Sequence, residues 1–235
     1  MIFDFPKPEG SRLVFSEDFR TRQIIQSRGG VITGCSVGDY IGGSIKPTAV
    51  SSRVTFGGTE SVGINATALT IACRFRTGVA IGTDRDICDK NNDGVTDWQW
   101  SFCLASNGTN VVLFWFLPTT GNDTGTYIRS STVPQVSTEY LTHAVFDGSL
   151  AAASRGKLYI NGVLDTIVVG GTPPTKLRAS AYPVSVLNRA DGATRAPPND
   201  FVLRSVRIFN SAFSAQECAD DYANDTYPRA FGGGP

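Results

Sequence analysis

The sequence predicts an all-β protein: an antiparallel two-sheet sandwich closed by one short C-terminal helix. Three observations predict it. Apolar and polar residues alternate with period two along much of the chain, as they do when successive side chains point to opposite faces of a strand. Turn-formers are abundant, with Gly 25 and Pro 12 in 235 residues, and a single Met leaves little of a helical composition. Apolar runs also follow one another at short spacing with polar turns between them, which suits a sandwich better than alternating strands and helices.

The elements follow in order. Residues 1–11 read as an N-terminal arm, and 12–59 as opening strands. In LTIACRFRT (69–77), Leu69, Ile71, Cys73 and Phe75 point one way while Thr70, Arg74 and Arg76 point the other. WQWSFCLAS (98–106) repeats the pattern, with Trp98, Trp100, Phe102 and Leu104 on one face and Gln99, Ser101 and Cys103 on the other. NVVLFWFLP (110–118) is apolar on both faces, as in a central strand covered on both sides, and stops at Pro118, which has no N–H for a ladder. TYIRSSTV (126–133) and YLTHAVFDGS (140–149) are the next strands.

GKLYINGVLDTIVVGG (156–171) then reads as a hairpin, because Asn161-Gly162 suits a two-residue turn whose central positions both need positive φ. PVSVLN (183–188) and FVLRSVRIFN (201–210) supply the last strands. In SAFSAQECADDY (211–222), Ser214 and Glu217 form a capping box that predicts a helix over 215–222. No repeat or linker divides the chain, so one domain is expected over 12–228, followed by a Gly-rich tail at 229–235.

Charge and cysteine usage narrow the function classes. Twenty-one basic residues balance twenty-one acidic ones, which provides no overall field for nucleic acid or an anionic membrane. No apolar run approaches the ~18–20 residues of a membrane-spanning helix. The first residues, MIFDFPKPEGSR, lack a basic start, a long apolar run and a small-residue cleavage site, so they are not expected to act as a secretory signal. Five dispersed cysteines without a CxxC pair suggest the reduced thiols of a protein made in a cytoplasm rather than a disulfide framework.

The stretch 140–217 carries a resemblance. A strand with His143-Ala144-Val145 leads into the Asp147-Gly148 turn. Lys157-Leu158-Tyr159-Ile160-Asn161-Gly162 follows as a hairpin, Val206 to Asn210 as a late strand, and Ala212 to Glu217 as a short capped helix. This succession resembles the laminin-G-like, concanavalin A-like jelly-roll family of lectins and glucanases over roughly 60–222. Phe213 stands where the family usually has Leu, and Tyr140 where it often has Trp. The resemblance implies a jelly roll, with recognition at loops on one rim or on a concave sheet face.

Catalysis finds no motif. A glycosidase of this kind needs two carboxylates ~5–9.5 Å apart, often from Glu-x-Asp-x-x-Glu on one strand. Glu9, Glu17, Glu60, Glu139 and Glu217 show no such spacing, and Glu217 belongs to a cap. His143 is the only histidine, which excludes a His-based zinc triad and suits a structural role inside a strand. The protein is therefore expected not to be an enzyme.

Two binding features stand out. From Asp89, the run DKNNDGVTDWQW places Asp89, Asn91, Asp93, Gly94 and Asp97 in the order of a calcium loop, with Trp100 where the bidentate Glu should be. Asp84 and Asp86 lie upstream as substitute oxygens. The run is either a structural Ca²⁺ site through Asp89, Asn91, Asp93 and Asp97, or a plain polar tip between strands. For sugars, Trp98, Trp100, Trp115 and Tyr127 are candidate stacking rings. Trp100, which alternates with Phe102 and Leu104, and Trp115 are assigned to the core, and Trp98, next to the polar loop, is expected to be partly exposed; the expected carbohydrate-binding residues are Trp98, Tyr127 and Arg129.

The expected role is a non-catalytic structural and binding module, displayed on a bacteriophage virion as a decoration or tail-associated protein. Its expected partners are other virion proteins or copies of itself, and cell-surface glycans, with no nucleic acid and no membrane insertion. A stand-alone lectin, located outside the cell, is the alternative, and an unrecognised glycoside hydrolase the third reading.

Overall fold

The computed structural model describes residues 13–17, 19, 30–38, 44–59, 62, 66–78, 84–91, 99–106, 111–116, 126–190, 196–197 and 200–225. The strands form two antiparallel sheets, numbered here along the chain. Sheet A runs from β13 (Val163–Leu164) through β12 (Gly156–Ile160), β11 (Glu139–Asp147), β6 (Ala68–Arg76), β16 (Val202–Phe209) and β4 (Ser44–Pro47) to β3 (Cys35–Gly38). β1 (Leu13–Glu17) also lies along β16. Sheet B runs from β14 (Ile167–Gly170) through β10 (Tyr127–Ser130), β9 (Val111–Phe116), β8 (Trp100–Ser106), β7 (Arg85–Lys90), β15 (Val184–Val186) and β5 (Arg53–Phe56) to β2 (Gly30–Thr33).

The inward rows are those the alternation predicts. Leu69, Ile71, Cys73 and Phe75 of β6 share one buried core with Trp100, Phe102 and Leu104 of β8. Ile128 of β10 and Val184 and Val186 of β15 join them. Phe75 stacks on Phe201 with ring centroids 5.5 Å apart. Each such side chain contributes about 1.5–3 kcal/mol when fully buried, so the two rows are what press the sheets together.

The chain changes sheet at local devices. Gly34, at φ +59°, separates β2 of sheet B from β3 of sheet A, and its carbonyl accepts a hydrogen bond from the Ser52 hydroxyl. Ser52 Oγ in turn accepts from the amides of Thr48 and Ala49, which folds the β4–β5 corner. A bulge between Asp86 and Cys88 sends Ile87 and Cys88 both into the core. Asp86 and Asp89 consequently lie opposite Cys103 and Ser101, which point away from that core.

The hairpin expected over 156–171 is corrected. Asn161 and Gly162 do form the turn, at φ 51° and 79°. Only Val163–Leu164 pairs back onto β12, however, while Ile167–Gly170 crosses to pair with β10 in sheet B. Asp165 fixes the crossing, because its carboxylate accepts from the Ser131 amide (3.1 Å), the Thr132 amide (3.2 Å) and the Thr132 hydroxyl (2.8 Å). Period-two alternation is the same in either sheet, so pattern alone cannot detect the switch.

The helix α1 (Ala215–Asn224) begins as predicted and runs two residues further. Glu217 N–H donates to Ser214 Oγ at 3.2 Å, and Ser214 N–H donates to the Glu217 carboxylate at 2.6 Å. The helix lies across the outer face of sheet A, where Ala72, Val145, Tyr159, Phe209, Phe213 and Cys218 form a second apolar cluster.

Candidate functional site

A sandwich has two outer faces, and here they differ. On sheet A, α1 closes the face with a buried ionic lattice as well as the apolar cluster. His143 Nε2 lies 2.7 Å from Asp221 Oδ2, and Arg207 donates to both Asp221 oxygens at 2.6 and 2.8 Å. Facing a carboxylate, Nε2 carries the ring proton. Burial by itself would raise the Asp221 pKa. The hydrogen bond from His143 and the charge of Arg207 outweigh it and hold the carboxyl at about 2.

Nearby, Arg74 bridges Asp225 just past the helix (2.8 Å) and Glu139 on β11 (3.1 Å), and Arg204 donates to Glu139 at 2.9 Å. His143 is fully buried in this lattice, as its expected structural role requires. This face holds the helix down.

On sheet B, Ile128 and Ser130 of β10 are buried, and Ile128 belongs to the core. Tyr127 and Arg129 therefore share the outer face. Their neighbours on β14 are Gly170 and Val168 respectively. The Tyr127 ring fills the space that a Cβ on Gly170 would occupy, so it lies against the glycine backbone. Val168, beside Arg129, is 42% exposed. Among the described residues no carboxylate pairs with the Arg129 guanidinium. An aromatic ring, an arginine and an open edge strand thus converge at one margin of sheet B.

Of the predicted binding set, the structure brings Tyr127 and Arg129 together, while Trp98 lies outside the described residues. Trp100 is buried in the core, as expected. Of the four calcium candidates, Asp89 is not at a loop tip. It is fully buried within β7, and its Oδ1 accepts from the Ser185 hydroxyl at 2.7 Å. Asn91 follows β7 and is buried; Asp93 and Asp97 lie outside the described residues. The register of β7 with β8 and β15, rather than any alternation in sequence, places Asp89 in a strand, because the bulge between Asp86 and Cys88 breaks the period-two pattern there. Among the described residues no cluster of three acidic, histidine or cysteine side chains is arranged to hold a metal.

Gly170 was not foreseen as a site residue. VVGG reads as a strand end, and only the Tyr127–Gly170 register gives the glycine its role. All five cysteines are buried free thiols. Burial pushes the Cys88 thiol well above its usual range, and the neighbouring Cys73 and Asp89 push it the same way.

A laminin-G-type family model, described as the concanavalin A-like lectin/glucanases superfamily, matches residues 48–219. The chain belongs to that superfamily. The match takes in every feature that carried the resemblance in sequence, from His143 to Glu217, and starts upstream of them at the β4–β5 corner.

Solved structures share the superfamily's sandwich. Domain 4 of a GH43 extracellular arabinanase from Geobacillus stearothermophilus, in complex with arabinotriose, is 14% identical, with 89% of this chain and 98% of that chain covered and a TM-score of 0.60. The receptor binding domain of botulinum neurotoxin C/D mosaic serotype is 11% identical, covering 91% of this chain and 51% of that one, with a TM-score of 0.63. Trypanosoma rangeli sialidase is 9% identical over 84% of this chain and 30% of its own, with a TM-score of 0.56. At these identities the likeness is one of fold. None of the curated proteins matches the chain. The superfamily includes both glycoside hydrolases and binding domains, so membership alone does not separate catalysis from recognition.

Proposed function

We propose that this jelly-roll domain is a non-catalytic glycan-binding module whose recognition surface is the β10–β14 margin of sheet B. The observation that carries the reading is the Tyr127 ring seated on Gly170 with Arg129 on the same face. Sugars are bound by stacking their C–H faces on aromatic rings and by hydrogen bonds from planar polar groups, and this margin offers both. The non-catalytic reading is supported by the partners of six described carboxylates. Glu139, Asp221 and Asp225 are tied to arginines, Asp165 to a turn, Asp89 to Ser185 and Glu217 to its cap.

The proposed setting is the surface of a bacteriophage particle, where the module would sit among other virion proteins or copies of itself and meet cell-surface glycans. Five buried thiols without a disulfide suit synthesis in a reducing cytoplasm, and a formal net charge of zero permits many copies to sit side by side. Screening on a glycan array tests the binding reading. Retention of a glycan class by the wild type and its loss in Tyr127→Ala is the expected result, and no retention of any glycan overturns it. Immunogold labelling of purified particles tests the setting, and unlabelled particles exclude it.

A further inference from the structure

We infer that the β10–β14 margin selects acidic sugars, those that carry a carboxylate such as uronic or sialic acids; this rests on the glycan-binding reading above. Arg129 is partly buried, and among the described residues it has no carboxylate partner. The contrast with sheet A is direct: there Arg74, Arg204 and Arg207 each reach a carboxylate within 3.1 Å. An incoming carboxylate would give the Arg129 guanidinium two parallel N–H···O bonds, which no described carboxylate supplies.

The spacing suits a single sugar. Tyr127 and Arg129 are two residues apart on one strand, about 7 Å along it, which is about the size of a hexose ring with its carboxylate. A ring lying on Tyr127 therefore directs its acid group at Arg129 without spanning further side chains. Val168 is the register neighbour of Arg129 on β14. Its small apolar side chain neither pairs with the guanidinium nor competes for the sugar's acid. Gly170 holds the platform flat: any side chain there would displace the Tyr127 ring from the sheet.

Calorimetric titration with matched probes tests the inference: trigalacturonic acid and 3′-sialyllactose as acidic sugars, and galactotriose and lactose as neutral ones. The wild type is expected to bind at least one acidic probe more tightly than its neutral counterpart, and less tightly as salt rises. Arg129→Gln is expected to weaken the acidic probe roughly ten- to hundredfold and the neutral probes severalfold at most, so that the acidic preference is lost. Arg129→Lys, which keeps the charge and loses the fork, is expected to recover only part of that loss. Should Arg129→Gln fail to fold, the wild-type acidic-to-neutral ratio and its salt dependence still decide.

Equal binding of acidic and neutral probes, or an acidic preference untouched in Arg129→Gln, overturns the inference while the glycan-binding reading stands. Binding of neither class, with no glycan retained on the array, overturns that reading as well. A preference for sulfated over carboxylated sugars refutes the carboxylate assignment.

Discussion

Replacing Asp221 with Asn probes the lattice that pins α1 to sheet A. The carboxyl ordinarily titrates at 3.8 and is held at about 2 in the folded protein. At ~1.36 kcal/mol per pH unit, its ionised form contributes on the order of 2 kcal/mol to stability at neutral pH. The folded value lies below the unfolded one. That contribution is therefore complete above pH 3.8 and drains away as the pH falls towards about 2.

Asp221→Asn also takes away the carboxylate that receives both Arg207 contacts and the His143 bond, and breaking a buried pair costs ~3–5 kcal/mol. Urea unfolding at neutral pH should place the variant in that range below wild type. Across the window from pH 3.8 to about 2 the two proteins should converge by on the order of 2 kcal/mol, because only the wild type has a charge to lose at position 221. A deficit under about 1 kcal/mol, the worth of an exposed ion pair, would refute the reasoning. So would a deficit that is constant across the window.

Three further outcomes are expected. Gly162→Ala should lower the urea midpoint by an amount equivalent to roughly 1–3 kcal/mol, because φ is +79° and the new Cβ would lie 3.0 Å from Ala219 Cα on the helix; an unmoved midpoint contradicts the close packing of turn and helix. All five cysteines should resist maleimide in the native protein and react once it is unfolded, as mass spectrometry will show; prompt native labelling of any of them contradicts its burial. A calcium titration tests the acidic stretch that follows β7: a melting midpoint raised by calcium and lowered by chelation assigns a site there that does not use Asp89, and a midpoint indifferent to both removes the metal.

Much of the fold was readable because its determinants are local. Alternation at 69–75 and 100–104 assigned the inward rows, Asn161-Gly162 required a tight turn, and Ser214 with Glu217 announced the helix. The candidate site was only half readable. Tyr127 and Arg129 could be picked out as residue types two apart, but Gly170 is forty-three positions beyond Tyr127 and gains meaning only as its neighbour across two strands. The calcium pattern misled at Asp89 because its spacing is also that of a strand running out of the core, and the bulge at Asp86–Cys88 is invisible to a period-two count.

By itself, then, the chain's order of residues determined which segments extend, where they turn and which side of each is apolar, since these depend on neighbours one to four positions away. Tertiary structure alone decided which sheet each strand joins, that β14 parts company with β13, and that α1 covers sheet A. Those outcomes rest on partners such as Arg74 and Asp225, which are 151 residues apart, and contacts at that distance are selected by how the whole sandwich packs.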